Sequence, residues 1–289
     1  MTTVCILGAG ELGGSVAHAL ARGERVRRVR LIDEAGTIAA GKALDMQQAG
    51  AVEGFHTSVE GTNDLTRVTG CAVVVVADAG VPKNPAEAGH HTEWRGDAGL
   101  SMMVRLKGFL GDAPIVFAGA QQSDLLLVLE REAGFDRRRL VGSAPEAMAA
   151  ATRAIVALEA SCSPSEVALS VLGAPPSGFV VPWSEATIGG YAAQRVLTQV
   201  QLRRIEARVA RLWPPGPYAL GLAAARVAEA LVTSARRAAN VLTVLSGEFG
   251  IRDRVGTLPC LLGPTGIVNV RTPTLDNRER VQLETALGS

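Results

Sequence analysis

The stretch G-A-G-E-L-G at residues 8–13 directly follows an apolar run at residues 3–7 and opens a segment with helical periodicity. A strand, a glycine turn and a helix in this order are typical of the first βαβ unit of a dinucleotide-binding sheet. Gly8 can form the tight turn, Gly10 lets a pyrophosphate approach the backbone, and Gly13 lets the helix pack closely on the strand. The amides left free at the helix N-terminus can then meet the phosphates.

An acidic residue, Asp33, stands twenty residues after Gly13, at the end of the second apolar run. A carboxylate at this place can accept hydrogen bonds from both ribose hydroxyls, and its charge repels a 2′-phosphate. The combination predicts NAD as the cofactor, rather than its phosphorylated relative. A glycine turn without a ligand and a solvated aspartate is the alternative interpretation.

Outward from this turn, short β-branched runs alternate with helical-period segments as far as residue 142, which is typical of repeated βαβ units. Strands are predicted at residues 3–7, 29–32, 73–77, 115–118 and 140–142. Helices are predicted at residues 12–22, 37–48, 94–110 and 123–133. The sequence therefore predicts an α/β fold, with a Rossmann-type doubly wound parallel sheet in a dinucleotide-binding domain at residues 1–142.

After residue 142 the pattern changes, which predicts a second, α+β domain at residues 143–289. Its helices are predicted at residues 146–159, 194–212, 220–240 and 276–287, and its strands at residues 167–172, 178–181, 241–246, 254–262 and 267–270. The helix at residues 220–240 is apolar on most of its surface. It is expected to pack inside the protein or against another subunit.

The composition is that of a globular chain, with 289 residues, 47% of them hydrophobic and 20% charged. Lys and Arg number 29 and Asp and Glu 28, so the formal charge of +1 gives no preference for nucleic acid or for a membrane surface. No apolar stretch is long and unbroken enough to predict a transmembrane helix. The first residues carry no basic start of an export signal, so a cytoplasmic location is expected.

The four cysteines, Cys5, Cys71, Cys162 and Cys260, lie far apart in the sequence and form no C-x-x-C pair. They are expected to be reduced core residues. The histidines show no spacing that would bring ligands together on one metal ion. No metal site is predicted.

Four segments resemble, in chain order, the lactate/malate dehydrogenase family. Residues 31–48 contain the string G-K-A-L-D at 41–45, and residues 72–83 (A-V-V-V-V-A-D-A-G-V-P-K) are similar to the family's fourth strand and the start of its substrate loop. Residues 245–256 and 262–267 resemble its C-terminal strands. The resemblance implies a Rossmann domain followed by a catalytic domain, NAD-dependent oxidation of a 2-hydroxy acid, and a homodimer or homotetramer.

The glycine turn and the resemblance together define the predicted cofactor site. Its residues are Gly8, Gly10, Glu11, Leu12, Gly13, Asp33, Ala79, Gly80 and Gly119.

The family's catalytic residues are not matched in this chain. The position of its proton-donating histidine falls on Pro175, within G-A-P-P-S-G at residues 173–178. The aspartate and the carboxylate-binding arginine, which share one helix face in the family, fall on Met148 and Ala151. Because the loss of a general acid alone costs about 10² to 10⁴ in rate, ordinary malate or lactate turnover is expected to be very slow or absent.

The catalytic residues are therefore left unassigned. Gln121 keeps an amide where the family has an asparagine, and Lys83 stands where malate-specific members carry their first loop arginine. His90 or Arg95 could occupy the place of the second arginine, and His90 or His91 could donate a proton if the loop folds over the nicotinamide. A solvated loop histidine is the alternative interpretation.

Three functions are compatible with these observations. The first, which sets the class, is an NAD-linked oxidoreductase with a relocated acid and an unknown small-molecule substrate. The second is a pseudoenzyme, a non-catalytic NAD-binding sensor or partner subunit. The third is a structural subunit that has also lost its cofactor, and the glycines at residues 8–13 with Asp33 argue against it.

Overall fold

A computed structural model of the chain describes residues 2–78, 94, 96–233 and 237–288. Among the helices of these ranges, none is both long enough and apolar enough to span a lipid bilayer. The cytoplasmic location stays a prediction.

The first half of the chain forms six parallel strands. They are β1 (Thr3–Leu7), β2 (Arg28–Ile32), β3 (Ser58–Thr62), β4 (Val73–Val76), β5 (Ile115–Phe117) and β6 (Leu140–Gly142). They lie in the order β3-β2-β1-β4-β5-β6, and every neighbouring pair is parallel. Because β2 and β4 flank β1 on opposite sides, the strand order switches direction there, which opens a crevice above the carboxyl ends of β1 and β4.

The helices that connect these strands cover the sheet. They are α1 (Glu11–Gly23), α2 (Gly36–Glu53), α3 (Gly96–Leu106) and α4 (Ser123–Arg131). The sequence missed β3, which contains few strong strand formers. Its Gly61 lets α2 lie against it, because a Cβ at this position would be 2.2 Å from the backbone of Ala39.

The second half of the chain contains antiparallel strands, and five of those in the described ranges continue the same sheet. The strands are β7 (Val167–Ala168), β8 (Leu172–Ala174), β9 (Gly178–Val180), β10 (Thr187–Ile188), β11 (Tyr191–Ala192), β12 (Ala238–Ser246), β13 (Arg252–Gly263) and β14 (Gly266–Val270). The helices are α5 (Ala144–Ala160), α6 (Ala193–Val196), α7 (Gln199–Val209), α8 (Pro217–Val232) and α9 (Asn277–Ala286).

Strand β12 joins the two halves, because it pairs antiparallel with β6 at Leu242 and Gly142. From there the sheet runs through β13, β8 and β9, and β14 pairs with β13. A small second sheet has the order β11-β10-β7. The division into domains at residues 1–142 and 143–289 stays a prediction.

Three predicted elements of this half are wrong in detail. The helix at residues 220–240 ends at Val232, and β12 already begins at Ala238, since an apolar stretch does not itself mark a change from helix to strand. The helix at residues 194–212 is interrupted, because Thr198 has extended backbone and caps α7 with its side chain. The strand at residues 167–172 is two short strands, β7 and β8.

The expectation of four reduced cysteines is also wrong, because Cys5 and Cys71 are joined by a disulfide. They are 66 residues apart in sequence, but Cys5 lies on β1 and Cys71 lies just before the neighbouring strand β4. Cys260 is a buried free cysteine. Burial raises the pKa of its thiol to about 12, so it stays protonated and is not a nucleophile.

Helix α8 packs on α1, the helix that begins at the glycine turn. A segment from the last third of the chain therefore covers this part of the first half. Gly221 faces Ser15, where a Cβ would lie 2.2 Å from the serine Oγ. The buried residues of both helices belong to one hydrophobic cluster, as the apolar surface of this segment predicts. Tyr218 and Leu222 leave a second face of α8 exposed.

Candidate functional site

The glycine turn at residues 8–13 has the geometry that its sequence predicts. Gly8 has φ of 99°, a left-handed conformation that favours glycine, and its amide donates to Ile32 O at 2.8 Å. A Cβ on Gly13 would lie 2.0 Å from Gly8 O, so this position also requires glycine. The turn therefore brings the start of α1 directly over the end of β1.

Gly10 is the N-cap residue of α1 and supplies no side-chain cap. A helix N-terminus of this kind leaves amides for an external acceptor. Lys42 of α2 reaches the turn, and its Nζ donates to Gly10 O at 2.6 Å. This lysine belongs to the G-K-A-L-D string, but it was not predicted from the sequence as a residue of the cofactor site.

Asp33 lies where the sequence predicts, at the end of β2 and beside the turn. Its side chain is only 6% exposed, and its two carboxylate oxygens accept from the amides of Ala9 and Ala35 at 2.7 and 2.8 Å. A carboxylate oxygen can accept more than one hydrogen bond, so these two contacts do not by themselves exclude a hydrogen bond from a ribose hydroxyl. Asp33 thus has a second role that the sequence did not predict, because it ties the glycine turn to the start of α2.

A second carboxylate at the turn, that of Asp78, was missed by the sequence analysis. Asp78 follows β4 and is 4% exposed, and its Oδ2 and Oδ1 accept from the amides of Leu12 and Gly13 at 3.0 and 2.8 Å. Its place could have been found from topology, because β4 pairs with β1 and ends beside the same turn. It caps the helix that Gly10 leaves uncapped.

The loop after β5 holds a buried amide, but it belongs to Gln122. Gln122 Oε1 accepts from Gly119 N at 2.8 Å, and its Nε2 donates to Trp94 O at 2.8 Å. Gln121, the candidate from the sequence, has an exposed side chain. The side chain of Gln122 therefore holds the backbone of Gly119 in place after the carboxyl end of β5.

The positions that were aligned with the family's catalytic residues from the sequence are apolar in the structure as well. Pro175 is buried, and Met148 is fully buried in a cluster that includes Val171 and Trp183. Ala151 lies on the same face of α5 as Met148, because three residues span almost one helical turn.

Two charged side chains of α5, Glu146 and Arg153, lie on its opposite face. Arg153 Nη2 pairs with Glu146 Oε1 at 3.2 Å, and Glu146 Oε2 accepts from the backbone and side-chain amides of Asn240 at 2.9 and 3.1 Å. A groove of about 570 Å³ opens beside this cluster, and Arg226 also lines it. These charges are thus committed to a network that does not include Met148 or Ala151.

Six of the predicted site residues lie outside the described ranges. They are Ala79, Gly80, Lys83, His90, His91 and Arg95. Within the described ranges, no three His, Cys, Asp or Glu side chains converge as metal ligands would.

The residues at this turn can be compared with the parts of NAD that they would bind. The backbone at residues 8–13 and the carboxylate of Asp33 fit the adenosine half of a dinucleotide. The amides of Leu12 and Gly13, which belong to the helix terminus that a pyrophosphate would use, already have an anionic partner in Asp78. The fit is therefore good at the ribose end and opposed by a charge at the phosphate end.

The first half of the chain is a doubly wound parallel sheet, and its first strand leads through a glycine turn into a helix. These features define the class of dinucleotide-binding Rossmann folds. Residues 2–90 match the family model described as lactate/malate dehydrogenase, NAD binding domain. This part of the chain is similar to the NAD-binding domain of the lactate/malate dehydrogenase family. The match confirms the prediction of NAD as the cofactor of this domain.

Similarity to curated relatives spans nearly the whole chain. A malate dehydrogenase of Thioalkalivibrio sulfidiphilus is 28% identical, and the alignment covers 99% of this chain and 96% of the relative. A malate dehydrogenase of a Roseiflexus species is 27% identical over 96% of this chain and 92% of its own length.

Two solved structures show the same fold. The malate dehydrogenase of Salinibacter ruber superposes with a TM-score of 0.85 at 24% identity and covers 99% of this chain and 94% of its own. A minor L-lactate dehydrogenase of Enterococcus mundtii gives a TM-score of 0.85 at 21% identity, with 99% and 95% covered. These likenesses confirm the predicted α/β fold.

Proposed function

We propose that this protein is a member of the lactate/malate dehydrogenase family that binds NAD(H) at its glycine turn and has a degenerate catalytic site, which oxidises malate or lactate very slowly or not at all. The observation that carries the proposal is the complete burial of Met148 among apolar side chains. The family places there the aspartate that assists its proton donor. A buried Pro175 at the donor's own position supports the same proposal.

Reduction of a 2-oxo acid needs a proton for the carbonyl oxygen and a cation for the carboxylate, in addition to the hydride that the bound nicotinamide supplies. Met148, Ala151 and Pro175 offer neither. The losses act on one catalytic unit and do not simply add, yet the loss of the general acid alone accounts for about 10² to 10⁴ in rate.

The test is an absorbance assay of NAD reduction with malate and lactate, and of NADH oxidation with oxaloacetate and pyruvate. We expect rates at least about 10²-fold below the common enzyme turnover of about 10 s⁻¹. Calorimetric titration of NADH into the same preparation is the control for an intact cofactor site. Sustained turnover at ordinary rates would contradict the proposal.

A second candidate is a non-catalytic NAD-binding sensor or a partner subunit of an active paralogue. It is favoured by the same packing around Met148, since a packed side chain provides no dry pocket for a different ligand. An oxidoreductase with a relocated donor at Lys83, His90, His91 or Arg95 differs from it in one measurable way. It would reduce NAD with some member of a panel of small hydroxy acids and alcohols, whereas the sensor would bind NADH with no turnover.

The protein is further proposed to form a homodimer or homotetramer. Leu44 and Val52 on α2, and Tyr218 and Leu222 on α8, expose large apolar side chains. Groups of exposed apolar residues on helix faces are typical of subunit contacts. Light scattering should give a multiple of the 30.0 kDa chain mass, and a monomer at all concentrations would contradict this proposal.

A further inference from the structure

The carboxylate of Asp78 occupies the start of α1, where a dinucleotide phosphate would be expected. It accepts from Leu12 N and Gly13 N, which belong to the first turn of the helix. Amides at a helix N-terminus bind anions because they lack intrahelical partners and lie at the positive end of the helix dipole. A phosphate that approaches these donors therefore meets an anion already bound to them.

The charges around the turn add to this conflict. Among the described side chains at this place, Asp33, Asp78 and the exposed Glu11 are acidic, and Lys42 is the basic partner of the turn. A pyrophosphate brings further negative charge to the same few ångströms. Because Asp78 is 4% exposed, solvent screens its repulsion of a phosphate only weakly.

We propose that Asp78 is an internal anion that competes with the cofactor phosphates for the N-terminus of α1 and so lowers the affinity for NAD(H). The dinucleotide binds only when the carboxylate gives up Leu12 N, and the empty turn stays ordered because Asp78 caps the helix in its place. This inference rests on the proposed binding of NAD(H) at residues 8–13. It makes Asp78 an affinity-determining residue.

A purely structural role for Asp78 makes a different prediction. If the carboxylate only caps α1 from below, its removal weakens the helix and leaves NADH binding unchanged or weaker. If it competes with phosphate, its removal weakens the apoprotein and strengthens NADH binding. The opposite signs of the two effects in one variant therefore distinguish competition from capping.

The experiment compares the wild type with Asp78→Asn, which keeps the shape and removes the charge, and with Asp78→Ser, which also frees space. NADH affinity is measured by calorimetry and the apoprotein's Tm by differential scanning. We expect both variants to bind NADH about five- to thirtyfold more tightly, as expected for one anion at a helix N-terminus, and to melt at a lower temperature. Asp276→Asn, which alters the N-cap of α9, is the matched control and should lower Tm without changing NADH affinity.

The chemical source of the effect is tested with three ligands. Asp78→Asn should bind ADP and NADH, which carry phosphates, more tightly than the wild type does. Its increase in affinity for adenosine, which carries no phosphate, should be less than about twofold. A gain of equal size with adenosine would overturn the proposal.

The remaining outcomes separate this inference from the proposed function. Equal NADH binding by the wild type and both Asp78 variants would overturn the competition alone. No NADH binding by any of the three proteins would overturn both the competition and the proposed binding at residues 8–13.

Discussion

The predicted cofactor site (the cofactor end) and the positions aligned with the family's catalytic residues (the catalytic end) carry different kinds of residues. At residues 8–13, Gly8 and Gly13 are required by the backbone geometry itself, and Asp33 holds the turn in place. At Met148 and Pro175, the side chains are apolar and buried as in any core. The difference teaches that the glycine turn is constrained by the backbone geometry of the fold, whereas the identity of the side chains at Met148 and Pro175 is not constrained in this way.

The largest effect is expected from Gly13→Ala, which tests whether the cofactor end is required for the fold. The added Cβ would lie 2.0 Å from Gly8 O, so we expect a loss of at least about 3 kcal/mol in unfolding free energy, together with the loss of NADH binding. Urea unfolding and calorimetry measure both. Gly41→Ala is the control, since its Cβ meets nothing within 4 Å, and it should stabilise α2 by about 0.5 to 1 kcal/mol. A stable Gly13→Ala protein would mean that the turn is not constrained.

The catalytic end is tested by the triple variant Pro175→His, Met148→Asp and Ala151→Arg. We expect at most trace malate oxidation, because the backbone around the donor has changed as well as its side chain. Met148→Asp alone should cost about 2 to 4 kcal/mol, since it buries a carboxylate among apolar side chains. Turnover assays and urea unfolding check these values, with Met148→Leu as the control for volume. Full activity of the triple variant would show that only three side chains separate this site from an active one.

The ribose contact is tested by Asp33→Ala. We expect NADH binding to weaken by about tenfold or more, because the variant loses a charged acceptor and also frees the amide of Ala9. Calorimetry with Asp45→Ala, on the exposed side of α2, provides the comparison. Unchanged affinity in Asp33→Ala would show that the Asp33 carboxylate does not contribute to NADH binding.

The smallest effect is expected from Glu229→Gln. Glu229 lies on α8, close to α1, the helix that follows the glycine turn. Burial raises the pKa of its carboxyl above the ordinary 4.5, despite the cation of Arg25. The folded protein therefore loses stability as the pH rises from about 4.5 through the raised pKa, because the unfolded chain ionises first. Glu229→Gln should be more stable than the wild type at pH 7 by about 0.5 kcal/mol or less, and should lose this advantage near pH 4. A larger advantage at pH 4 than at pH 7, in thermal unfolding, would contradict the direction of the shift.

The sequence predicted the cofactor end well because its signals are local. Gly8, Gly13 and Asp33 lie within one βαβ unit, and their spacing carries the geometry. Asp78 was missed because its role depends on β4 pairing with β1, which brings together residues more than sixty positions apart. Lys42 was missed for the same reason, since its contact with Gly10 depends on how α2 packs on the turn.

The errors in secondary structure also have a physical cause. Apolar residues predominate on both sides of the break within residues 220–240, so periodicity did not show where α8 ends and β12 begins. Strand β3 has weak strand propensity and is held in the sheet by its pairing with β2 and by the close approach of α2 at Gly61. Tertiary contacts decide both cases, and a single sequence does not display them.

The packing of α8 on α1 also has a consequence for folding kinetics. Ser15 and Gly221 are in contact across more than two hundred residues of chain, and the buried face of α1 is completed only when this pairing forms. During synthesis the glycine turn and α1 therefore emerge long before α8. Until α8 packs on it, the apolar face of α1 stays exposed to solvent. Contacts of such long sequence separation slow folding and favour transient association with chaperones.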